Sequence, residues 1–300
     1  MISDGLSEKK RICAGVVTYY PDMKLLEDNL KALVPQVSKV FVIDNGSPDQ
    51  EKIQSLLISF DNVFFACNKE NLGVAKALNQ LCMMAMHGGF EWILTMDQDS
   101  LCSSDMVEYL AAYTDIPAYG IIAPKVEFRD GEALILTTKD DDKETIEVSA
   151  CITSGSLTKL DAWKSVGGFD EWFFIDRVDN EFCTHLTING YKILRVNKAI
   201  LSQRAGDMKY IKMPWGRKVL LPYYNHKRNY YICRNSIYYF RKYGHDIDLC
   251  HQVVVFFYSQ FVKLLIESGR WSTFCSTIKG IRDGKKKTIE YTNYIYQSVT

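Results

Sequence analysis

Two carboxylates one residue apart, Asp97 and Asp99 in Met96-Asp97-Gln98-Asp99-Ser100, directly follow the short β-rich run Trp92–Met96. At a strand end such a pair can converge on one divalent cation. Mg2+ or Mn2+ takes oxygen ligands and shares them with substrate phosphates, and a nucleotide diphosphate leaving group needs that neutralisation. The same acids also suit a helix start, and a helix is expected to begin near Asp105. Both readings stand on these residues alone. A second polar turn, Val42-Ile43-Asp44-Asn45-Gly46-Ser47, also ends a strand. Asp44 can accept a hydrogen bond from a pyrimidine N–H, and Gly46 lets the chain turn sharply. An ordinary strand-to-helix turn uses the same residue types. Asn71-Leu72-Gly73-Val74-Ala75 opens a helix, whose first N–H groups suit phosphate; capping by Asn71 is the plainer alternative. Later, Asp176, Asp179 and Glu181 crowd into Phe174–Phe182. Asp176 and Asp179, three apart, can share a helix face, and a carboxylate in a pocket can act as general base on a hydroxyl. First-turn acids on a solvated helix are the alternative.

The elements that must position these residues are legible from periodicity. Short strands are expected at Ile12–Val17, Val40–Ile43, Val63–Ala66 and Trp92–Met96. Helical spacing fills the gaps: Leu26, Leu30 and Leu33 share one face, Ile53, Leu56, Leu57 and Phe60 another, and Val74 to Met86 forms a third helix. Strands alternating with helices predict an α/β fold with a doubly wound, mainly parallel sheet. Ligands in such sheets bind outside the carboxyl ends of the strands, where the polar turns lie. After Pro117 the pattern changes. A strand at Ile121–Val126 precedes a hairpin of Leu134–Thr138 and Ile146–Ser149 around the acidic turn Asp140 to Glu144. Then come Thr153-Ser154-Gly155-Ser156, a helix near Leu160–Val166, the turn Gly167-Gly168-Phe169-Asp170 and a helix from Val178 to Ile188.

From Gln203 the chain turns basic and aromatic, with Arg204, Lys209, Lys212, Arg217, Arg228, Arg234 and Arg241 interleaved with tyrosines such as Tyr223, Tyr230 and Tyr238. An amphipathic segment follows, with Val254, Phe257, Tyr258, Phe261, Leu264 and Leu265 on one face, and then Lys285-Lys286-Lys287. This divides the chain into a catalytic domain, 1–202, and a helical, amphipathic extension, 203–300. The basic stretch can bind phosphates, sugars or nucleic acid. A formal net charge of zero and an acidic-ended sheet argue against nucleic acid. The amphipathic helix either packs on the domain or lies on a membrane surface. With 47% hydrophobic residues in 300, the chain can bury a sizeable core. Nine cysteines without C-x-x-C or zinc spacing fit a reducing compartment. With no visible signal peptide and no run of about 20 apolar residues, a cytoplasmic location is expected.

In this order, the strings resemble the inverting family 2 glycosyltransferases of GT-A fold, and more narrowly the bacterial rhamnosyltransferases of cell-surface polysaccharide assembly. They are Gly15-Val16-Val17-Thr18-Tyr19-Tyr20-Pro21, Val42–Ser47, Asn71–Ala75 with Ala77-Leu78-Asn79, Asp97–Ser100, Gly168-Phe169-Asp170, Phe174–Phe182, and Tyr230-Tyr231 with Arg234-Asn235. The resemblance implies that Thr18, Tyr19 and Asp44 hold the nucleotide base, with Asn71 and Lys76 nearby. Asp97 and Asp99 would hold the donor through Mg2+ or Mn2+. Thr153, Ser154 and Gly155 would line the sugar or acceptor, with Asp176, Tyr230 and Arg234 on the acceptor side and Asp179 as general base. The implied donor is dTDP-L-rhamnose and the implied acceptor a lipid-linked oligosaccharide on a polyprenyl diphosphate. A UDP-galactofuranose or UDP-amino-sugar donor on the same scaffold is the near rival, and a non-catalytic glycan-binding module the distant one. A nucleotidyltransferase is disfavoured, because Thr18-Tyr19-Tyr20-Pro21 stands where that class carries a Gly-rich loop. Two positions depart from many relatives: Tyr20 replaces Asn, and Gln203 replaces a His that can add a metal contact. Gln203 is thus a candidate third ligand, poorer than imidazole. A homodimer and attachment at the inner face of the cell membrane stay open.

Overall fold

The computed structural model describes residues 12–128, 142–204, 208–212, 218–222, 224–245, 247–266 and 269–289. Within them, each expected N-terminal strand forms: β1 (Ile12–Thr18), β2 (Val40–Asp44), β3 (Val63–Cys67) and β4 (Trp92–Asp97). They are parallel neighbours in the order β3-β2-β1-β4. Residues in β1, β2 and β4 are almost all buried, as strands covered on both faces must be. Helix α1 (Met23–Leu33) starts where the Asp22 carboxylate accepts from the N–H groups of Lys24 and Leu25, 2.9 and 3.2 Å away. Its Leu26, Leu30 and Leu33 join Ile53 and Leu57 of α2 (Gln50–Leu57) against Ala14, Val16, Val42 and Leu94. Alternate strand residues face the other way. There Gly15 admits α3 (Val74–His87): a Cβ on it would lie 3.0 Å from Leu81 Cδ1 and Ile93 Cδ1. Helices on both faces make the sheet doubly wound.

The sheet continues as β4-β8-β6-β9-β5, through β5 (Leu101–Cys102), β6 (Tyr119–Phe128), β8 (Ser156–Lys159) and β9 (Lys192–Gln203). β8 is antiparallel to both neighbours, while β6 and β9 are parallel. β7 (Thr145–Val148) also pairs with β9, antiparallel. It corresponds to the expected Ile146–Ser149; the other expected hairpin strand, Leu134–Thr138, lies outside the described residues. Helices α4 (Met106–Ala111), α5 (Leu160–Ser165) and α6 (Val178–Ile188) complete this part. β9 was not legible because its alternation breaks: the pairing with β6 slips between Pro124 and Lys125, so Val196 and Ile200 oppose consecutive residues.

The chain divides into two compact units. Residues through Trp172, together with Val178–Arg204, form the sheet unit, and Phe173–Arg177 belong with the chain beyond Arg204. The second unit holds a hairpin, β10 (Met208–Lys212) and β11 (Lys218–Pro222), and helices α7 (His226–Tyr243), α8 (Cys250–Ile266) and α9 (Arg270–Lys286). α7 and α9 approach closely through Gly280 and Gly284; a Cβ on Gly280 would lie 2.6 Å from the Tyr230 carbonyl oxygen. The amphipathic α8 turns Phe256 and Gln260 inward and leaves Val254, Phe257, Tyr258 and Phe261 exposed.

One side chain ties α3 to the turn after α5. Asn79 Oδ1 accepts from Trp163 Nε1 (3.0 Å) and the Phe169 N–H (2.9 Å), and Nδ2 donates to the Phe169 carbonyl (2.9 Å). Removing that acceptor from a buried donor costs roughly 1–3 kcal/mol. Asn79→Ala should therefore lower the Tm by several degrees. A melting curve superimposable on wild type would show that this bridge contributes nothing.

Candidate active site

The parallel register sets Thr18 opposite Asp44 and Val17 opposite Asp97. Thr18, Asp44 and Asp97 thus finish adjacent strands on one carboxyl edge. β1 lies between β2 and β4, where the strand order reverses, the position at which open α/β sheets bind ligands. Asp44 is fully buried and accepts from several donors. Its Oδ1 takes Thr18 Oγ1 (3.0 Å) and Ser47 Oγ (2.6 Å), and its Oδ2 takes the N–H groups of Gly46 (3.2 Å) and Ser47 (2.7 Å) and Gln50 Nε2 (3.2 Å). Gly46, at φ 90°, closes that turn against the backbone of Glu70 and Asn71. Asn45 extends the network: its Nδ2 donates to Asn71 Oδ1 (3.1 Å) and its Oδ1 accepts from the Leu72 N–H (3.1 Å). Asn71 accepts from the Gly73 N–H (2.9 Å), while Gly73 itself takes the cap position of α3 with no side-chain cap. Lys76, in the first turn, pairs with Glu171 at 3.0 Å.

Tyr19 and Tyr20 are exposed, edge to face at 4.7 Å. Tyr20 has φ 48°, a left-handed conformation that Asn adopts more readily than Tyr. Gln98, between the two acids, makes a two-point pair with the Tyr19 peptide: the Tyr19 N–H donates to Oε1 (2.8 Å) and Nε2 donates to the Tyr19 carbonyl (3.2 Å).

Asp97 and Asp99 do not cap a helix; α4 begins at Met106 with Asp105 at its cap. Burial pushes the Asp97 carboxyl up from the usual carboxylate range; the Gln203 hydrogen bond pulls it down, and nearby Asp99 and Asp179 push it up again. Asp99 and Asp179 thus lie near enough to bear on the charge of Asp97. A closed ring of hydrogen bonds runs through Asp97. Its N–H donates to Ser154 Oγ (3.1 Å), Ser154 to Ser100 Oγ (2.9 Å), Ser100 to Gln203 Oε1 (2.7 Å), and Gln203 Nε2 back to Asp97 Oδ2 (3.0 Å). Asn29 Nδ2 donates to the carbonyls of Asp97 (2.9 Å) and Ser100 (2.7 Å). Among the described residues no cluster of three or more His, Cys, Asp or Glu closes around a cation. Two acids at a strand end nevertheless suit Mg2+ or Mn2+, which is commonly held by one or two carboxylates with substrate phosphates supplying the rest.

The Thr153–Gly155 turn leads into β8. Thr95 Oγ1 donates to the Thr153 carbonyl (2.7 Å) and the Gly155 N–H to the Thr95 carbonyl (2.7 Å). Gly155 has φ 75°, and a Cβ there would meet Pro124 Cγ at 2.8 Å. Thr153 and Asp179 line a small pocket with Cys151, Ser156, Phe169 and Phe182. Asp179 sits in the first turn of α6 and accepts from the Asn180 N–H at 2.8 Å.

In the second unit, Asp176 is paired with Arg228, whose Nε and NH2 reach its carboxylate at 3.0 to 3.3 Å. Tyr230 donates to Asp283 Oδ2 (3.0 Å), and buried Arg234 stacks over Tyr231, 4.8 Å from the ring centre. Burial lowers the Arg234 pKa from its ordinary value.

Residues 16–163 match the family described as glycosyl transferase family 2. The chain carries a family 2 glycosyltransferase domain. It is 28% identical over 257 residues to the dTDP-rhamnosyl transferase RfbF of Shigella flexneri, covering 82% of this chain and 85% of that one. Among solved structures it is similar to S. aureus TarS residues 1–349 in complex with UDP-GlcNAc (TM-score 0.63, 16% identity, 91% of this chain and 80% of that one). It is also similar to GalNAc-T7 with UDP, GalNAc and Mn2+ (TM-score 0.51, 12% identity, 65% of this chain and 44% of that one). The architecture is that of the GT-A glycosyltransferases, as the motif order implied.

In this glycosyltransferase domain, sequence reasoning missed Asn29 and Gln98. Asn29 carried a signal: it is a polar residue on the Leu26–Leu30–Leu33 face of α1, fully buried, and such a residue must find partners. Gln98 carried none, since its partner is a peptide group 79 residues away. The Asp44 carboxylate holds its turn together. Asp44→Ala strips the acceptor from two peptide N–H groups and should lower the Tm by several degrees without any nucleotide present. Asp44→Asn should cost much less: its amide oxygen still serves Gly46 and Ser47, and the hydroxyls of Thr18 and Ser47 can turn to accept. An unaltered Tm in the alanine variant would overturn that structural role.

Proposed function

We propose that this glycosyltransferase transfers L-rhamnose from dTDP-L-rhamnose to a hydroxyl of a lipid-linked glycan, by inverting single displacement. Asp97 at the carboxyl edge of β1 and β4, with Asp99 and Asp179 near enough to bear on its charge, carries the reading. The likeness to the rhamnosyl transferase RfbF supports the donor. Asp179 takes the proton from the acceptor hydroxyl. That oxygen bonds to the anomeric carbon as the bond to the diphosphate oxygen breaks on the opposite face, releasing dTDP. Asp97 and Asp99 would hold Mg2+ or Mn2+, which when bound supplies positive charge beside the leaving diphosphate. GalNAc-T7 was solved with Mn2+, and TarS with UDP-GlcNAc, so UDP-sugars are the alternative donors.

Thermal shifts with a nucleotide-sugar panel, with and without Mn2+, test this, since a ligand selective for the native state raises the Tm. A metal-dependent shift with dTDP-rhamnose is expected; a shift confined to UDP-sugars would replace the donor. In the same series Asp179→Asn should retain the donor shift while transfer falls by about 10²–10⁴. Near-normal turnover would remove Asp179 as the base.

A lipid-linked acceptor calls for a membrane-facing surface, and we assign it to α8 and α9. Val254, Val255, Phe257, Tyr258 and Phe261 are exposed on α8, with Tyr258 67% accessible. On α9, Trp271 is 77% accessible, and Phe274 and Ile278 are exposed with it. Arg270, Lys279, Arg282, Lys285 and Lys286 lie exposed on α9. Apolar stripes beside basic residues match an anionic bilayer. Among the described residues no helix is long and apolar enough to cross a membrane, so the contact would be peripheral. Phe257→Ser with Phe261→Ser should reduce co-sedimentation with phosphatidylglycerol vesicles. Undiminished binding, or a loss of self-association instead, would reassign the face.

A further inference from the structure

The hydrogen-bond ring through Asp97 gives Gln203 a role that ligand spacing did not reveal. Ser100 and Ser154 are both about 1% exposed, so their hydroxyls must be satisfied inside the protein. That burial fixes the direction of the ring. Ser154 receives the Asp97 N–H and so donates onward to Ser100; Ser100 receives Ser154 and so donates to Gln203 Oε1. The Gln203 amide is then oriented without choice. Its oxygen faces Ser100 and its Nε2 faces Asp97 Oδ2; the reversed amide would set oxygen against carboxylate and leave Ser100 without an acceptor. To reach a cation, Oε1 would have to leave Ser100, and Nε2 would leave Asp97 with it. Among the described residues Asp97 Oδ1 accepts no hydrogen bond.

We propose that Gln203 is a positioning residue for Asp97 rather than a metal ligand: through Ser100 and Ser154 it holds Oδ2 and leaves Oδ1 to be shared with a divalent cation. This rests on the metal reading of the preceding subsection. The ring draws its members from four places in the sheet: the end of β4, the approach to β5, the turn before β8 and the end of β9. Head-to-tail donors also polarise one another, which strengthens each bond.

The test measures by calorimetry the affinity for dTDP, or for UDP where the wild-type chain prefers it, with and without Mn2+. Loss of a group that orients a metal ligand commonly costs about 10–100-fold in metal affinity. Gln203→Ala and Gln203→Met should each shrink the Mn2+-dependent gain about tenfold or more, with metal-free affinity within about twofold of wild type. Ser100→Ala, which touches only the ring, should shrink the gain in the same direction. The Gln203→Ala, Ser100→Ala double variant should be no worse than Gln203→Ala, since both break one network. The proposal falls if Ser100→Ala keeps the full gain while the Gln203 variants lose it, because Gln203 would then be a ligand. It falls equally if the Gln203 variants keep the gain. Should neither Gln203 variant fold, Ser100→Ala alone decides: a shrunken Mn2+-dependent gain upholds the proposal and a fully retained gain overturns it. A wild-type chain with no Mn2+-dependent gain for either nucleotide removes the metal reading, and this proposal with it.

Discussion

A carboxylate at the end of a buried strand must be neutralised, because low-dielectric surroundings penalise a lone charge heavily. The molecule meets that constraint differently at each acid, and the differences sort the acids by role. Asp44 takes hydroxyls, peptide N–H groups and an amide from its own turn, so both its oxygens are already occupied. Asp176 takes the Arg228 guanidinium. These two are satisfied by the protein and act as fasteners. Asp97 takes one amide donor on one oxygen, and burial pushes its carboxyl upward, with two nearby acids adding to the push. In the proposed mechanism one cation would relieve both that acid and the donor diphosphate. On that proposal the protein and its substrate share one electrostatic requirement at one place.

Much of this arrangement was legible because buried parallel strands write themselves as short apolar runs with polar ends. Ile12–Val17, Val40–Ile43 and Trp92–Met96 needed nothing beyond β-rich composition and their spacing from amphipathic helices. Their order fixed where Thr18, Asp44 and Asp97 would end. The second half of the sheet resisted the same reading for physical reasons. β5 has two residues, too few for any period. β9 changes phase at its slip against β6. The ring through Gln203 joins residues up to 106 apart, and nothing local in Ser202-Gln203-Arg204 marks an amide whose partners arrive from other strands. The family resemblance could suggest a ligand there; only the geometry shows that its oxygen is spoken for.

The amphipathic α8 shows a different limit. Periodicity correctly grouped Val254, Phe257, Tyr258 and Phe261 on one face, yet it cannot say which way that face turns. The structure turns it outward and sends Phe256 and Gln260 in. An apolar stripe left exposed next to α9, whose own Trp271, Phe274 and Ile278 are also exposed, exceeds the scattered apolar residues normal for a soluble surface.

Backbone strain concentrates at one point of the second unit. Asp176 and Arg177 have φ of 64° and 67° in succession, though neither is glycine. Each such residue costs on the order of 1 kcal/mol or more, so the pair persists only if its surroundings over-determine it. α7 does so. Asn235 Nδ2 donates to the carbonyls of both Ile175 (2.7 Å) and Asp176 (2.9 Å), Arg228 grips the Asp176 carboxylate, and Ser236 accepts from Arg177 Nε (3.3 Å). Arg177 also lies over the ring of Tyr239, 5.3 Å from its centre. The residue after this strained pair, Val178, is the first of α6, the helix that carries Asp179. The Asp176 that spacing grouped with Asp179 is thus an ion-paired, left-handed residue fastened by α7.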